Sequence, residues 1–257
     1  MINNFIYLVK SYLPSSTRKK AGKIKRRLQG FFLKGNNVEC PICGRTFSKF
    51  LRGGTVKRHN AVCPGCDSFE RHRLLWLYIK DKVNSLSKEI RLLHFAPEDS
   101  LREKFLKTNK LNYVTTDLHE SHVSINSDIQ NLPFKENIFD IIICSHILEH
   151  VPDDKKGMKE IFRILNKDGW AILQVPINED LEKTFEDTSI KSSVKRLKYF
   201  GQGDHVRVYG RDYYKRLEQA GFNVKQDNFV KTLPKEKIKR YCLMENEIIC
   251  FVTRKVL

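Results

Sequence analysis

No stretch of this chain approaches the roughly 20 consecutive apolar residues that a bilayer-spanning helix needs. The N-terminus offers only Phe5-Ile6-Tyr7-Leu8-Val9, with no basic residue before it and no small-residue cleavage site after it, so a secretory signal is not expected. A cytoplasmic location follows as the expectation, and there thiols stay reduced. Acids are scarce where bases are dense. Residues 1–39 hold nine Lys/Arg against one acid and residues 40–80 eight against two, so the first 80 residues carry +14 of the net +17. Residues 81–257 are close to neutral, and any polyanion met by the protein is met by its N-terminal third. With 257 residues, 40% of them hydrophobic, the chain suffices for one α/β domain of ordinary size and a small appendage.

The basic leader, residues 1–37, reads as two amphipathic helices over 1–13 and 17–34, separated by Pro14-Ser15-Ser16, with Ser16 or Thr17 as an N-cap. Ala21, Ile24, Leu28, Phe31 and Phe32 form one apolar stripe on the second helix, and lysines and arginines supply the rest. Such a helix suits an anionic membrane surface, which makes residues 1–34 a candidate for peripheral association with the inner face of the membrane. The stripe can equally pack on the body of the protein, or the cations can follow an RNA backbone.

Residues 38–80 carry a four-cysteine module. Cys40-Pro-Ile-Cys43 and Cys63-Pro-Gly-Cys66 are separated by 19 residues, a spacing that fits a structural Zn2+ site with all four coordination positions filled by sulfur. Gly44 and Gly65 let the backbone fold closely round the metal. An iron–sulfur cluster or a redox pair remains open, although neither C-x2-C lies in the βα context of a redox motif. The ribbon has only Phe47 and Phe50 between its cysteine pairs, few aromatics for stacking on bases. Cys144, Cys242 and Cys250 are expected in the core, and His72 is expected to pack or pair.

From Ile90 onward strands and helices alternate: Ile90–Ala96, a helix, Tyr113–Asp117, Ser124-Ile125, Ile138–Cys144, a helix beginning near Glu149, and Trp170–Pro176 after a Lys167-Asp168-Gly169 turn. Strands apolar throughout and joined by helices call for a parallel sheet buried on both faces. A helix over Arg211–Ala220 and strands over Phe222–Gln226 and Glu247–Arg254 complete the chain.

The stretch Asp128–Pro176, with its acidic turn, apolar strand and polar Ser145-His146…Glu149-His150 cluster, resembles the second half of a class I S-adenosylmethionine-dependent methyltransferase of the type 11 group. The whole chain is similar to a bacterial zinc-ribbon-containing subgroup in which the first loop reads like His94-Phe95-Ala96-Pro97-Glu98, and in which Ser68–Arg73 and Phe200–Gly210 also match. The resemblance implies a Rossmann-like, doubly wound, seven-stranded methyltransferase sheet over 81–257, closed by a C-terminal hairpin. It implies S-adenosylmethionine as cofactor, with Asp117 and the following Leu118 at the ribose, Asp128 and Ile129 at the adenine, and Ser145 and His146 beside the methionine moiety. The glycines usual in the first loop are missing: Ala96, Glu98 and Ser100 stand in their places, Pro97 stiffens the loop and His94 replaces the acid. Ala96, Pro97 and Glu98 would then contact the cofactor in another way.

Methyl transfer from a sulfonium is chiefly a matter of positioning, and a base is needed only where the acceptor must lose a proton. His146, His150 and His205 are the candidates. Asp204-His205 offers an acid beside an imidazole, and Arg207 and Tyr209 are placed to orient an acidic or sugar-like acceptor. The leading expectation is a methyltransferase acting on a small molecule or cell-surface glycan precursor, at the membrane surface. The alternatives are an RNA methyltransferase using ribbon and leader, with nucleic acid the weaker partner, and a non-catalytic binding protein with a degenerate cofactor loop.

Overall fold

The computed structural model describes residues 15–54, 56–84 and 89–255; the helix expected over residues 1–13 lies outside them. The fold has two compact units. The first takes in the chain up to Ser85 with Asp99–Leu101 and Val230–Glu247; the second takes in Leu86–Glu98, Arg102–Phe229 and the C-terminal part from Ile248.

In the first unit, helix α1 (Ser15–Phe32) leads into two small antiparallel pairs, β1 (Val38–Glu39) with β2 (Thr46–Phe47) and β3 (Leu51–Gly53) with β4 (Arg58–Val62), and then helix α2 (Glu70–Asn84). A bidentate pair from Arg26 to Asp67, at 2.6 and 2.9 Å, anchors α1. So does Gly30, where an added Cβ would stand 3.0 Å from Pro64. The apolar stripe does not pack: Ile24, Leu28, Phe31 and Phe32 are 60–84% exposed. Arg73 is fully buried and donates to the carbonyls of Asn60, Ala61 and Ser68 and to those of Tyr241 and Cys242. One guanidinium thus stitches the segment 230–247, which carries the short helix Lys235–Arg240, to the ribbon. Arg240 adds a bond to Glu39 at 2.9 Å.

The second unit is built on β5 (Ile90–Phe95), the part of α3 (Asp99–Phe105) from Arg102 on, β6 (Leu111–Asp117), β7 (Ile125–Asn126), β8 (Phe139–Ser145), α4 (Asp154–Ile164) and β9 (Leu165–Gln174). A small pair, β10 (Phe185–Glu186) with β11 (Arg207–Val208), follows with helices α5 (Ser193–Phe200) and α6 (Tyr213–Gln219). The chain ends in the hairpin β12 (Phe222–Asp227) and β13 (Ile249–Arg254). The sheet order is β12-β13-β9-β8-β5-β6-β7, parallel except at β13, which runs antiparallel to both its neighbours. This is the seven-stranded Rossmann-like sheet expected from the sequence.

Three local expectations change. The helix after β8 does not begin at Glu149: Leu148–His150 is a single 3-10 turn, and α4 starts at Asp154, capped by Asp153, whose side chain accepts from the Lys156 amide at 3.0 Å. Pro152 forbids a helix running through from Glu149. Lys167–Gly169 does not precede a separate strand, because β9 runs through it with a register shift against β8. Cys144 and Cys250 are in the core, but Cys242 is only half-buried and sits at φ 49° in the loop before β13.

Candidate functional site

The sheet order reverses between β5 and β8: the chain leaves β5 toward β6 and leaves β8 toward β9 on the other side. A crevice opens outside the carboxyl ends of strands at such a switch point, and ligands of doubly wound sheets bind there. Both flanking strands end alike. Ala96 follows β5 at φ 43° and His146 follows β8 at φ 57°. Each amide donates to the adjoining strand, Ala96 to the Thr116 carbonyl and His146 to the Gln174 carbonyl, both at 2.8 Å. Two left-handed residues thus end both strands, each held to the neighbouring strand by its amide, at a cost that a residue with a Cβ does not bear without a local reason.

The first loop carries its charge in an unusual place. His94 is buried, with Nδ1 2.9 Å from the Tyr113 hydroxyl and Nε2 3.2 Å from Glu98 Oε2. The imidazole at the end of β5 holds the loop carboxylate back. Burial, and then Glu98, push the Tyr113 phenol well up, so its hydroxyl keeps the proton. The usual fold has an acid in the strand and bare backbone in the loop; here an imidazole is in the strand and the acid is in the loop, paired to it. Of the residues expected there, Ala96 is exposed, and Pro97 and Glu98 are half-buried.

Asp117 ends β6. Its Oδ1 accepts from the amides of His119 and Glu120 at 2.7 and 2.8 Å, which fixes the carboxylate at the strand tip. Leu118, 55% exposed, follows it. Asp128 lies farther along the same edge, its carboxylate accepting from the Gln130 backbone and side chain at 2.8–3.1 Å. Ile129 turns inward and is buried in the core of the unit. Ser145 is the last residue of β8, paired with Gln174. The four positions Ala96, Asp117, Asp128 and Ser145 follow β5, end or follow β6 and β7, and end β8, as a ligand lying along the carboxyl edge requires.

The histidines form one cluster. His146 Nδ1 is 3.3 Å from Glu149 Oε1, His150 Nδ1 is 3.5 Å from Asp204 Oδ2, and the His150 and His205 rings meet edge to face at 4.6 Å. Burial, and then His150, hold the His205 imidazole below its ordinary range. Adjacency in sequence misleads twice here. Asp204 pairs with His150 instead of its neighbour His205. Arg207 and Tyr209 do not face an acceptor. Arg207, 3% exposed, donates to the carbonyls of Leu148 at 2.8 Å and Pro152 at 2.9 Å and to Glu186 at 3.0 Å. The Tyr209 hydroxyl donates to buried Asp154 at 2.8 Å, which Arg216 also holds at 2.9 Å. This buried ion network clamps the turn that carries Glu149 and His150. No sequence pattern flags it, because its partners lie far apart in the chain, from 21 residues for Arg207 and Glu186 to 62 for Arg216 and Asp154, and two of its bonds end on backbone carbonyls.

In the first unit the four cysteines converge. Cys40 and Cys66 sulfurs stand 3.6 Å apart and Cys43 and Cys63 sulfurs 3.8 Å apart, against about 3.8 Å between ligands of a tetrahedral site with 2.3 Å metal–sulfur bonds. The two turns are built alike: the Gly44 amide donates to Cys40 O at 2.8 Å, and the Asp67 amide to Cys63 O at 2.9 Å, with both donors left-handed at φ 72° and 62°. Gly65 serves by its size, since a Cβ there would stand 2.9 Å from the Arg45 side chain and 3.3 Å from Cys43 Sγ.

A family model described as a methyltransferase domain matches residues 69–227, more than half of the chain. Over 126 residues the chain is 29% identical to demethylmenaquinone methyltransferase of Staphylococcus saprophyticus, covering 49% of this chain and 48% of that protein. Over 90 residues it is 36% identical to an uncharacterized protein of Methanocaldococcus jannaschii, covering 34% of this chain and 40% of that one. These matches span less than half the length of either relative. The solved structure of the [4+2]-cyclase SpnF is similar at a TM-score of 0.50 and 14% identity, over 80% of this chain and 88% of that chain, a likeness of fold alone.

Proposed function

The chain belongs to the methyltransferase-domain family, and from that premise we propose that it transfers a methyl group from S-adenosylmethionine to a small-molecule acceptor, a quinone-like compound or a glycan precursor, at a membrane surface. The observation that carries this is the left-handed Ala96 at the end of β5: the first loop keeps the turn that glycine ordinarily makes. When bound, the cofactor supplies an electrophilic methyl on a sulfonium; as the acceptor's electron pair forms the new bond, the carbon–sulfur bond breaks and its pair stays on sulfur.

The chain's own residues bind and orient. Asp117, pinned through Oδ1, presents Oδ2 to the two ribose hydroxyls, a task for which a fixed carboxylate is suited. Asp128 meets the adenine through its carboxylate, while Ile129, turned into the core, supports that stretch of chain from beneath. Ser145, His146 and the backbone at Ala96–Glu98 line the methionine end. Glu98 stays clear of the cofactor's carboxylate because His94 holds it. His146, with its ring partly exposed and Glu149 behind it, takes the proton of an acceptor that must lose one.

The cysteine cluster fits structural zinc by its spacing and its electrostatics. Zinc with four thiolates carries two negative charges, and Arg73, buried with carbonyl hydrogen-bond partners and close enough to Cys40 and Cys63 to interact with them electrostatically, supplies compensating charge beside it. No helix among the described residues is long and apolar enough to cross a membrane. The exposed stripe of α1 supports peripheral contact instead. The matched demethylmenaquinone methyltransferase and the near-neutral charge of residues 81–257 favour a small acceptor over RNA.

The test uses methyl-tritiated S-adenosylmethionine with lipid, polar-metabolite and RNA fractions of the native host. Label is expected in the lipid or polar fraction. Label confined to RNA would replace the acceptor class, and label in none would remove the activity.

A further inference from the structure

Glu149 is 1% exposed, its Oε1 faces His146, and its Oε2 has no hydrogen-bond partner among the described residues. A buried carboxylate with one orphan oxygen is costly to keep, and a fold retains one where a cation completes it. The surroundings supply such a place. The 3-10 turn Leu148–His150 puts Glu149 and His150 on consecutive positions, and the Val206 amide donates to the Glu149 carbonyl at 2.9 Å, drawing His205 alongside. One ligand atom from each of Glu149, His150 and His205 lies within 4.8 Å of the others. Donors on one first-row ion stand roughly 3 Å apart, so small side-chain rotations close the set.

We propose that Glu149, His150 and His205 bind a divalent transition-metal ion with open coordination positions toward an oxygen-bearing acceptor. Two imidazoles and one carboxylate select zinc, cobalt or a neighbouring first-row ion over magnesium or calcium, which prefer oxygen. Three protein ligands leave room for a further ligand, unlike the four cysteines of the first unit. Asp204, 3.5 Å from His150 Nδ1, is the outer carboxylate that orients a metal-bound imidazole. The clamp by Arg207 and Tyr209 holds the turn rigid. The cluster adjoins Ser145 and His146 at the end of β8, so a hydroxyl bound to the ion would ionise nearer neutral pH and give its proton to solvent. Ion binding stands apart from the function proposed above; its use on an acceptor rests on that reading.

Titration of the full chain, carrying its cysteine-bound metal, with Co2+ tests the site. Cobalt on nitrogen and oxygen gives visible d–d absorption without the thiolate charge-transfer band that the cysteine cluster would give. One such equivalent is expected, and Glu149→Gln and His205→Ala should each weaken it at least about tenfold. His150→Gln, at a half-exposed position, keeps the test valid where the buried substitutions prevent folding, as circular dichroism would show. Absence of the signal in wild type, or wild-type affinity in folded His150→Gln, would overturn the site. Calorimetry with S-adenosylhomocysteine in metal-free buffer separates the two ideas: if the nucleoside binds there and the cobalt titration gives no such signal, the metal alone is removed, and if cobalt gives the signal and the nucleoside does not bind, the methyltransferase reading is removed.

Discussion

At Ala96 a methyl group occupies a backbone conformation that glycine adopts with little cost. The strain, on the order of 1 kcal/mol or more, is the sign of a turn kept while its glycine is gone. Next to it, an imidazole stands at the strand end and a carboxylate in the loop, and the 3.2 Å contact of His94 Nε2 with Glu98 Oε2 keeps that carboxylate beside the strand. Ala96→Gly should therefore keep nucleoside binding and lose no stability. Ala96→Val places a β-branched side chain in the same left-handed well and should cost about 1–2 kcal/mol while weakening S-adenosylhomocysteine binding. Thermal melts and calorimetry check both, and a valine variant indistinguishable from wild type would show that the loop takes another path.

Among the elements, α1 departs furthest from the usual habit of amphipathic helices, which bury their apolar face. Its attachment is polar and small, through Arg26 to Asp67 and through Gly30. Phe31 and Phe32 are left 63% and 84% exposed, within a segment dense in lysine and arginine. Each ring is worth about 1.5–3 kcal/mol when it leaves water, and the cations add attraction to anionic lipid. Phe31→Ser with Phe32→Ser should release the protein from phosphatidylglycerol vesicles while moving the melting temperature little. Retained vesicle binding, or a large loss of stability, would show that the stripe serves a contact within the protein.

Over the whole molecule, what could be read from the sequence was what local pattern encodes. Apolar strands alternating with helices gave the sheet and its terminal hairpin, and the C-x2-C spacing gave the converging sulfurs. The strand ends placed Asp117, Asp128 and Ser145 on one edge. What was hidden depends on partners distant in sequence: Arg73 reaching Tyr241 and Cys242, Arg207 reaching Leu148 and Pro152, and Asp204 choosing His150 over its neighbour. A buried arginine and a surface arginine look the same in sequence, so Arg207 was expected at an acceptor although it serves as a clamp.

The central claim, that the crevice between β5 and β8 binds the methyl donor without a glycine cradle, is tested most directly by calorimetry of S-adenosylhomocysteine with wild type and Asp117→Ala. The account predicts one site per chain in wild type and a loss of at least about tenfold in affinity in the variant, corresponding to 1.4 kcal/mol or more, with the fold intact by circular dichroism. No binding by wild type, or undiminished binding by a folded Asp117→Ala, would contradict it.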